Sequence, residues 1–377
     1  LQLKELYVKN FRNYPGQSLN FNKPIILFFG ENAQGKTNLL EAIYYLATGK
    51  SHRAHREKEL IRWETSGFYL KGELKKENSE YTLEILQRKG HGKELKINGL
   101  PQSNLRNFLK SLNVVIFSPE DLMLIKGTPD NRRRFLDQEI NQVDYNYDFY
   151  LKNYNKALKQ RNKLLKTCQN KSMLKYYLPP WDEQIAKYGV KITLRRKKII
   201  HQIKLLSRLI YRKITNQRED LELKYIPSLE SILNDNLKED EFIDYFLQGL
   251  SNNLDNDLLK KSTSIGPHRD DIEFYINGNN ARNYGSQGQQ RSTVLALKMA
   301  ELEMIKGEKG EYPILLLDDV LSELDRARRK HLLNLTEARV QTFVTGTSRD
   351  DFKGDMLKKA QIYKIYEGEA VNEDAGD

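Results

Sequence analysis

Three short stretches of this 377-residue chain carry residue types suited to holding a phosphate chain. Gly30-Glu31-Asn32-Ala33-Gln34-Gly35-Lys36-Thr37 fits the pattern G-x-x-x-x-G-K-S/T. Its glycines let backbone N–H groups converge on phosphate oxygens, and a following helix adds its positive end. Lys36 is placed to neutralise the β and γ phosphates of a nucleotide, and the Thr37 hydroxyl to ligate Mg2+. Far along the chain, Ile314-Leu315-Leu316-Leu317 ends in Asp318 and Asp319. A carboxylate at such a strand tip holds Mg2+ beside a phosphate loop, so Asp318 is the expected metal ligand with Thr37. Asp319 is then the residue to orient or deprotonate an attacking water. The third stretch, Tyr284-Gly285-Ser286-Gln287-Gly288-Gln289-Gln290, leads into a helix and offers a second anion-binding turn. Alone, each has a blander reading: a glycine-rich turn, a strand ending in Asp, a polar loop. Together, in this order, they point to a nucleotide triphosphatase.

The surrounding pattern supplies elements to position these groups. Leu1–Phe11 alternates, and Pro24 opens the apolar run Ile25–Phe29, which reads as a buried strand feeding the phosphate loop. Leu39, Leu40, Ile43, Tyr44 and Ala47 follow at helical spacing up to Gly49. Phe68–Leu74, Tyr81–Leu86 and Asn113–Phe117 read as strands, with Asn98-Gly99 a hairpin turn. From about residue 119 the period changes: Tyr150, Tyr154, Leu158 and Leu165, then Trp181 through Ile210 after Pro179-Pro180, predict two long helices. Leu221–Ile226 reads as a strand and Glu241–Leu250 as a helix. Strand character returns at Asp271–Ile276, followed by a helix over about Gln289–Lys306 and strands Ile314–Leu317 and Gln341–Val344. The acidic end after Glu367 is expected to fray. The predicted division is 1–118 with 262–377 as an ATP-binding lobe, and 119–261 as a helical insertion.

Composition excludes several classes. The longest apolar runs fall far short of the roughly 20 residues needed to span a bilayer, so no membrane partner is expected. The first residues lack a basic-then-apolar leader, and the lone Cys168 cannot form an internal disulfide, so the expected location is cytoplasmic. The net charge of +11 is unevenly spread. Lys152–Arg218 holds 19 Lys/Arg against Asp182 and Glu183, and Glu219–Asp257 holds 11 acidic residues against Lys224 and Lys238. Such neighbours imply a polyanionic partner or helices that pair with each other.

The Ser286-Gln287-Gly288-Gln289 stretch resembles the signature motif of the ABC ATPases, and Ser322-Glu323-Leu324-Asp325 resembles their D-loop. Two usual residues are missing: no Gln lies in Phe117-Ser118-Pro119-Glu120-Asp121, and no switch His in Val344-Thr345-Gly346-Thr347. Asp319 also stands where a glutamate base is common, which implies slow hydrolysis. Leu6-Tyr7-Val8-Lys9-Asn10-Phe11-Arg12-Asn13-Tyr14 resembles the first strand of the SMC and RecF branch, where the matching Arg12 and Asn13 lie near the nucleotide phosphates. The insertion lacks sustained heptads, which excludes a long coiled-coil arm. Ser51-His52-Arg53, Arg132-Arg133-Arg134-Phe135-Leu136-Asp137 and Gly266-Pro267-His268-Arg269-Asp270-Asp271 complete a resemblance to the RecF family over nearly the whole chain.

That resemblance implies an α/β, two-lobed ABC-type ATPase head (a P-loop NTPase) with a mostly helical inserted second lobe. It implies ATP and Mg2+ as cofactors, bound by Gly30, Glu31, Asn32, Ala33, Gln34, Gly35, Lys36 and Thr37. Ser286, Gly288 and Gln289 of a second chain would close the site, making an ATP-dependent homodimer. Lys36, Asp318 and Asp319 would carry catalysis. Double-stranded, gapped or junction DNA, RecR and RecO are the implied partners, and loading of RecA the implied role. Arg195, Arg196, Lys197 and Lys198 are the candidate DNA contacts within the basic block. Arg132–Arg134 read equally as phosphate contacts or a salt-bridged helix start, and His268 as capped in a turn. His52 and His55 read as surface histidines, and Cys168 as a small buried hydrophobe. The rival readings are a transporter ATPase subunit, an SMC-like clamp and a DNA-binding module with a decayed ATP site. A helicase or nuclease finds no second motor domain or carboxylate cluster.

Overall fold

Alternating apolar residues in Gln2–Phe11 give a strand with Leu3, Leu6, Val8 and Phe11 on its buried side. In the computed structural model this strand is the second of a six-stranded antiparallel sheet, between Tyr14–Asn20 and Gly67–Lys76. The sheet continues through Ser79–Arg88, Glu94–Ile97 and Leu100–Pro101. The structure describes residues 1–54, 56–76, 79–104, 108–168, 171–230, 238–325, 328–329, 331–332, 340–347 and 355–373. The chain divides into two units, 1–121 with 298–377, and 122–297.

The first unit holds a second six-stranded sheet, in the order Glu369–Asn372, Ala360–Tyr366, Ile25–Phe29, Thr342–Gly346, Ile314–Leu317, Val114–Phe117. All neighbours are parallel except the final hairpin. The apolar runs Ile25–Phe29 and Ile314–Leu317 are internal members of this sheet, and Val114–Phe117 is its edge strand. Helix α1 (Lys36–Thr48) packs between the two sheets: Leu39, Leu40, Ile43 and Leu46 share one core with Leu6, Leu70 and Leu83 of the antiparallel sheet and with Ile26, Leu316 and Phe343 of the parallel one. The register sets Leu27 beside Val344 and Val344 beside Leu317. The carboxyl ends of three strands therefore open at one edge, where α/β sheets bind ligands.

The second unit is mostly helical. Helix α2 (Pro129–Val143) begins with a proline in its first turn and a Thr128–Asn131 capping box. Helices α3 (Tyr147–Thr167) and α4 (Pro179–Ile214) follow. Pro179 and Pro180 separate the two long helices, as expected, and form the first turn of α4. Helix α5 (Glu239–Asn252) and an antiparallel three-stranded sheet complete the unit, with Asp271–Ile276 between Leu221–Ile226 and Asn279–Asn280. This pairing corrects the predicted boundary at 261/262: Asp271–Ile276 belongs to the sheet of the insertion, so 262–297 goes with the second unit. The last long helix, α6 (Gln287–Lys309), contains the division at 297/298.

Two arginines of the basic block, Arg161 and Arg196, and Arg132 outside it, are structural in this unit. Arg161 is buried, bonded to Asp182, Asp257 and Thr263. Arg132 is bidentate on Asp271 and also donates to the Gly127 carbonyl, so it braces the start of α2. Arg196 is only 2% exposed and spends its donors on Asp137, the Tyr147 hydroxyl and the Pro267 carbonyl. Among the described residues, no helix is long and apolar enough to cross a membrane.

The expected frayed end is also corrected. Glu369–Asn372 pairs with Ala360–Tyr366 through a turn at Glu367-Gly368, whose positive φ values of 47° and 80° suit a tight hairpin. Residues 374–377 lie outside the described residues, as does His55. His52 is not a surface histidine: both ring nitrogens are buried with no hydrogen-bond partner among the described residues, and the ring meets Tyr44 edge-on. Cys168 is half-buried at the end of α3, against the Leu165, Leu174 and Leu178 cluster.

Candidate functional site

Strand Ile25–Phe29 delivers Gly30 to the phosphate loop, and α1 leaves it at Lys36. Two positions in the loop admit only glycine. A Cβ on Gly30, at φ +154°, would lie 2.3 Å from the Ile365 carbonyl oxygen. One on Gly35, at φ +120°, would lie 2.6 Å from Asn13 Nδ2 and 3.0 Å from the Tyr14 hydroxyl. Glu31, Asn32 and Ala33 form the exposed tip.

The loop is fastened from outside. Asn13 Nδ2 donates to the Gln34 carbonyl at 2.8 Å, Asn38 Nδ2 donates to Asn13 Oδ1 at 2.8 Å, and the Tyr14 hydroxyl donates to the Gly35 carbonyl at 3.1 Å. The hairpin turn adds the Glu367 N–H on Gln34 Oε1 and the Gly368 N–H on the Gln34 carbonyl. Asn13 thus shapes the loop through its backbone. Lys36 is buried, its Nζ donating to the Gly30 and Glu31 carbonyls at 2.7 and 2.8 Å. Arg12 is held by protein acceptors. Its Nε and Nη2 are bidentate on Glu41 at 2.8 Å each, and Nη1 donates to the Glu59 carbonyl. Burial acts to raise the Glu41 carboxyl, but Arg12 and Ser51 hold it below its ordinary range.

The acidic strand meets this loop directly. Thr37 Oγ1 donates to Asp318 Oδ1 at 2.8 Å, although the two are 281 positions apart in sequence. Burial pushes the Asp318 carboxyl above its ordinary range, opposed by hydrogen bonds from Thr37 and Thr345 and raised further by neighbouring Asp319. Thr345 is the residue sequence reasoning missed. Its Oγ1 donates to Asp318 Oδ1 at 3.0 Å and accepts from the Asp319 N–H at 2.9 Å. It stands in Val344-Thr345-Gly346-Thr347, the stretch that lacks a switch histidine. The tip Asp319 sits at φ +53°, a strained conformation for a non-glycine residue.

In the second unit, Ser286 precedes α6, which begins at Gln287, two residues earlier than predicted. Ser286 and Gln289 cap one another: the Gln289 N–H donates to Ser286 Oγ at 3.2 Å, and the Ser286 N–H to Gln289 Oε1 at 2.8 Å. Gly288 and Gln289 therefore lie in the first turn, where backbone N–H groups point outward along the axis. The D-loop residues Ser322 and Glu323 lie in a short helix, Val320–Glu323, and Asp325 follows, exposed.

Of the candidate DNA contacts, Arg196 is excluded, because a buried guanidinium consumed by Asp137 and two further acceptors cannot reach a phosphate. Arg195 is half-exposed and bonded to Asp144 at 2.6 Å. Lys198 is exposed and Lys197 half-buried. His268 is in a turn, as expected: Nε2 contacts the Thr263 carbonyl at 3.0 Å and Nδ1 the Tyr154 hydroxyl at 2.6 Å.

A phosphate loop at the edge of a parallel sheet, paired carboxylates at a neighbouring strand tip and a capped Ser-Gln-Gly-Gln turn define an ABC-type P-loop ATPase head. The family model of the RecF/RecN/SMC N terminal domain matches residues 2–371. The DNA replication and repair protein RecF of Natranaerobius thermophilus is 67% identical over 384 aligned residues, covering 100% of both chains. That of Enterococcus faecalis is 43% identical, covering 98% of each. A solved structure of the recombination mediator protein RecF-ATPrS superposes with a TM-score of 0.89 at 38% identity, over 99% of this chain and 98% of that one. The Smc head domain of Pyrococcus furiosus shares the fold, with a TM-score of 0.54 at 17% identity over 98% and 96% of the two chains. The chain belongs to this family and, within it, to the RecF proteins, a family of DNA replication and repair.

Proposed function

We propose that the chain is an ATP-dependent recombination mediator in which nucleotide joins two copies and hydrolysis separates them. The carrying observation is the meeting of Thr37 Oγ1 and Asp318 Oδ1 at 2.8 Å beside a buried Lys36. Two oxygen ligands suit Mg2+, which keeps water and phosphate oxygens for the rest of its octahedron. Bound there, Mg2+ would neutralise charge on the β and γ phosphates.

The chain's own groups do the rest. Lys36 exchanges its carbonyl partners for phosphate oxygens, and Asp319 orients the attacking water. Ser286, Gly288 and Gln289 of a second copy present the N-terminal turn of α6 to the γ-phosphate. Asp319 is one methylene shorter than glutamate, which supports slow hydrolysis and a timing role. The solved relatives described as RecF-ATPrS and RecF-ATP support ATP as the nucleotide.

DNA, gapped or at a junction, is the proposed polyanion, with RecR and RecO as further partners and RecA loading as the outcome. On α3, Lys156, Lys159, Lys163 and Lys166 are all exposed and recur at the spacing of one helix face, opposite buried Tyr154, Ala157, Arg161 and Leu165. This stripe replaces Arg196 as the best-placed phosphate contact. The discriminating variants are Lys36→Ala, expected to abolish ATP binding, and Ser286→Arg, expected to keep ATP binding but not dimerise. Normal turnover in Lys36→Ala overturns the assignment.

A further inference from the structure

The capped turn before α6 has a third partner outside its own motif. Gln289 Nε2 donates to Glu219 Oε1 at 2.8 Å, while Gln289 Oε1 accepts from the Ser286 N–H. The amide is thereby fixed in one orientation, since only its oxygen serves an N–H and only its nitrogen serves a carboxylate. Glu219 is itself held, because the fully buried Tyr211 at the end of α4 donates its hydroxyl to Glu219 Oε2 at 2.7 Å. The segment carrying Glu219 is braced as well. Asn216 and Gln217 take positive φ values of 51° and 61°, and neighbouring Asp220 is clamped by Arg208, Arg212 and the Asn277 side chain.

We infer that Glu219 is a positioning residue for the Ser286–Gln289 turn: through Gln289 it holds Ser286, whose Oγ accepts from the Gln289 N–H and whose O–H is the donor presented to the γ-phosphate of a nucleotide held by a second copy. Without Glu219 the Gln289 amide turns freely about its last torsion, and the cap on Ser286 loosens before the phosphate arrives. This rests on the reading of the turn as half of an ATP sandwich.

The test uses the full chain and measures fluorescent ATP-analogue binding to dilute monomer, dimer dissociation in Mg-ATP by sedimentation equilibrium, and steady-state hydrolysis. For Glu219→Ala, nucleotide binding stays at the parent value, while dimer Kd rises about tenfold, the worth of one hydrogen bond to a charged group. kcat falls with that loss of dimer and KM holds. Glu219→Gln keeps an acceptor for Gln289 and restores dimerisation to within about threefold of the parent. Combining Glu219→Ala with Gln289→Ala is no worse than Gln289→Ala alone. Tyr211→Phe removes only the hydroxyl, covers the case in which Glu219→Ala fails to fold, and shifts dimer Kd in the same direction. Parent-like dimerisation in both Glu219→Ala and Tyr211→Phe, a Glu219→Gln variant as impaired as the alanine, or additive losses in the double variant overturns the role of Glu219. Ser286→Arg separates the two ideas. If it also dimerises like the parent, the sandwich itself falls; if it fails while Glu219→Ala is normal, only Glu219 does.

Discussion

Thr345 ties Asp318 to the backbone of Asp319 and so fixes the angle between two adjacent carboxylates. Thr345→Val removes both bonds with little change of volume, and loss of a hydrogen bond to a charged group costs about 1.5–3 kcal/mol. The expected outcome is intact folding with Mg-ATP turnover lowered at least tenfold in steady-state assays; unchanged turnover counts against this arrangement. Asp319→Asn is expected to retain ATP binding and accumulate a long-lived dimer. Turnover at the parent rate in that variant would show that Asp319 is not the base. His268 carries a pH consequence. Burial lowers its pKa to about 4, so the folded protein binds its proton later than the unfolded chain as pH falls. Stability contributed by neutral His268 is therefore present at neutral pH and lost between about 6.5 and 4. His268→Gln is expected to flatten the fall of the denaturant midpoint across that window. The meeting of Thr37 and Asp318 beside Lys36 was legible because the phosphate-loop pattern and the acidic strand tip are each recognisable in sequence. Thr345 was not, because a threonine inside a strand is ordinary. Arg196 was misread because counting charge says nothing of burial.

At the scale of elements, the strands and helices around the phosphate loop were legible from periodicity. Which strands pair was not. Asp271–Ile276 joins Leu221–Ile226 across some 45 residues of intervening chain, and no local signal announces it. The hairpin at Glu367-Gly368 did leave a signal, since a glycine after a turn-tolerant residue favours a tight reversal, but its acidic neighbours suggested a frayed end. That hairpin turns out to back the phosphate loop through Gln34. Gly35→Ala is accordingly expected to displace the Asn13 side chain, which is fixed at both ends, and to weaken ATP binding more than tenfold; backbone strain alone at such a φ costs about 1–3 kcal/mol. Nucleotide titration of the variant checks this. On α3, reversing Lys159 and Lys163 to Glu is expected to flatten the log–log salt dependence of DNA binding by about 0.9 for each phosphate no longer neutralised. An unchanged slope would make the stripe a solvated face.

At the scale of the whole molecule, the uneven charge has two explanations within one chain. Part of the basic block is internal: Arg161 and Arg196 are buried with acidic partners, and Arg208 and Arg212 meet Asp220 from the acidic block. Of the rest, the exposed lysines on the outer face of α3 are the proposed contacts for a polyanion. The phosphate loop lies in one unit and the Ser286–Gln289 turn in the other, and each is fully built by its own neighbours. The central claim is that nucleotide joins the two kinds of half-site between copies. Sedimentation velocity of the full chain in Mg-ATP and in Mg-ADP, beside Ser286→Arg, tests it most directly. A dimer is expected for the parent in Mg-ATP alone, with monomer in Mg-ADP and for Ser286→Arg in either nucleotide. A parent chain that binds ATP yet stays monomeric, or a Ser286→Arg variant that dimerises in ATP as well as the parent, would contradict it.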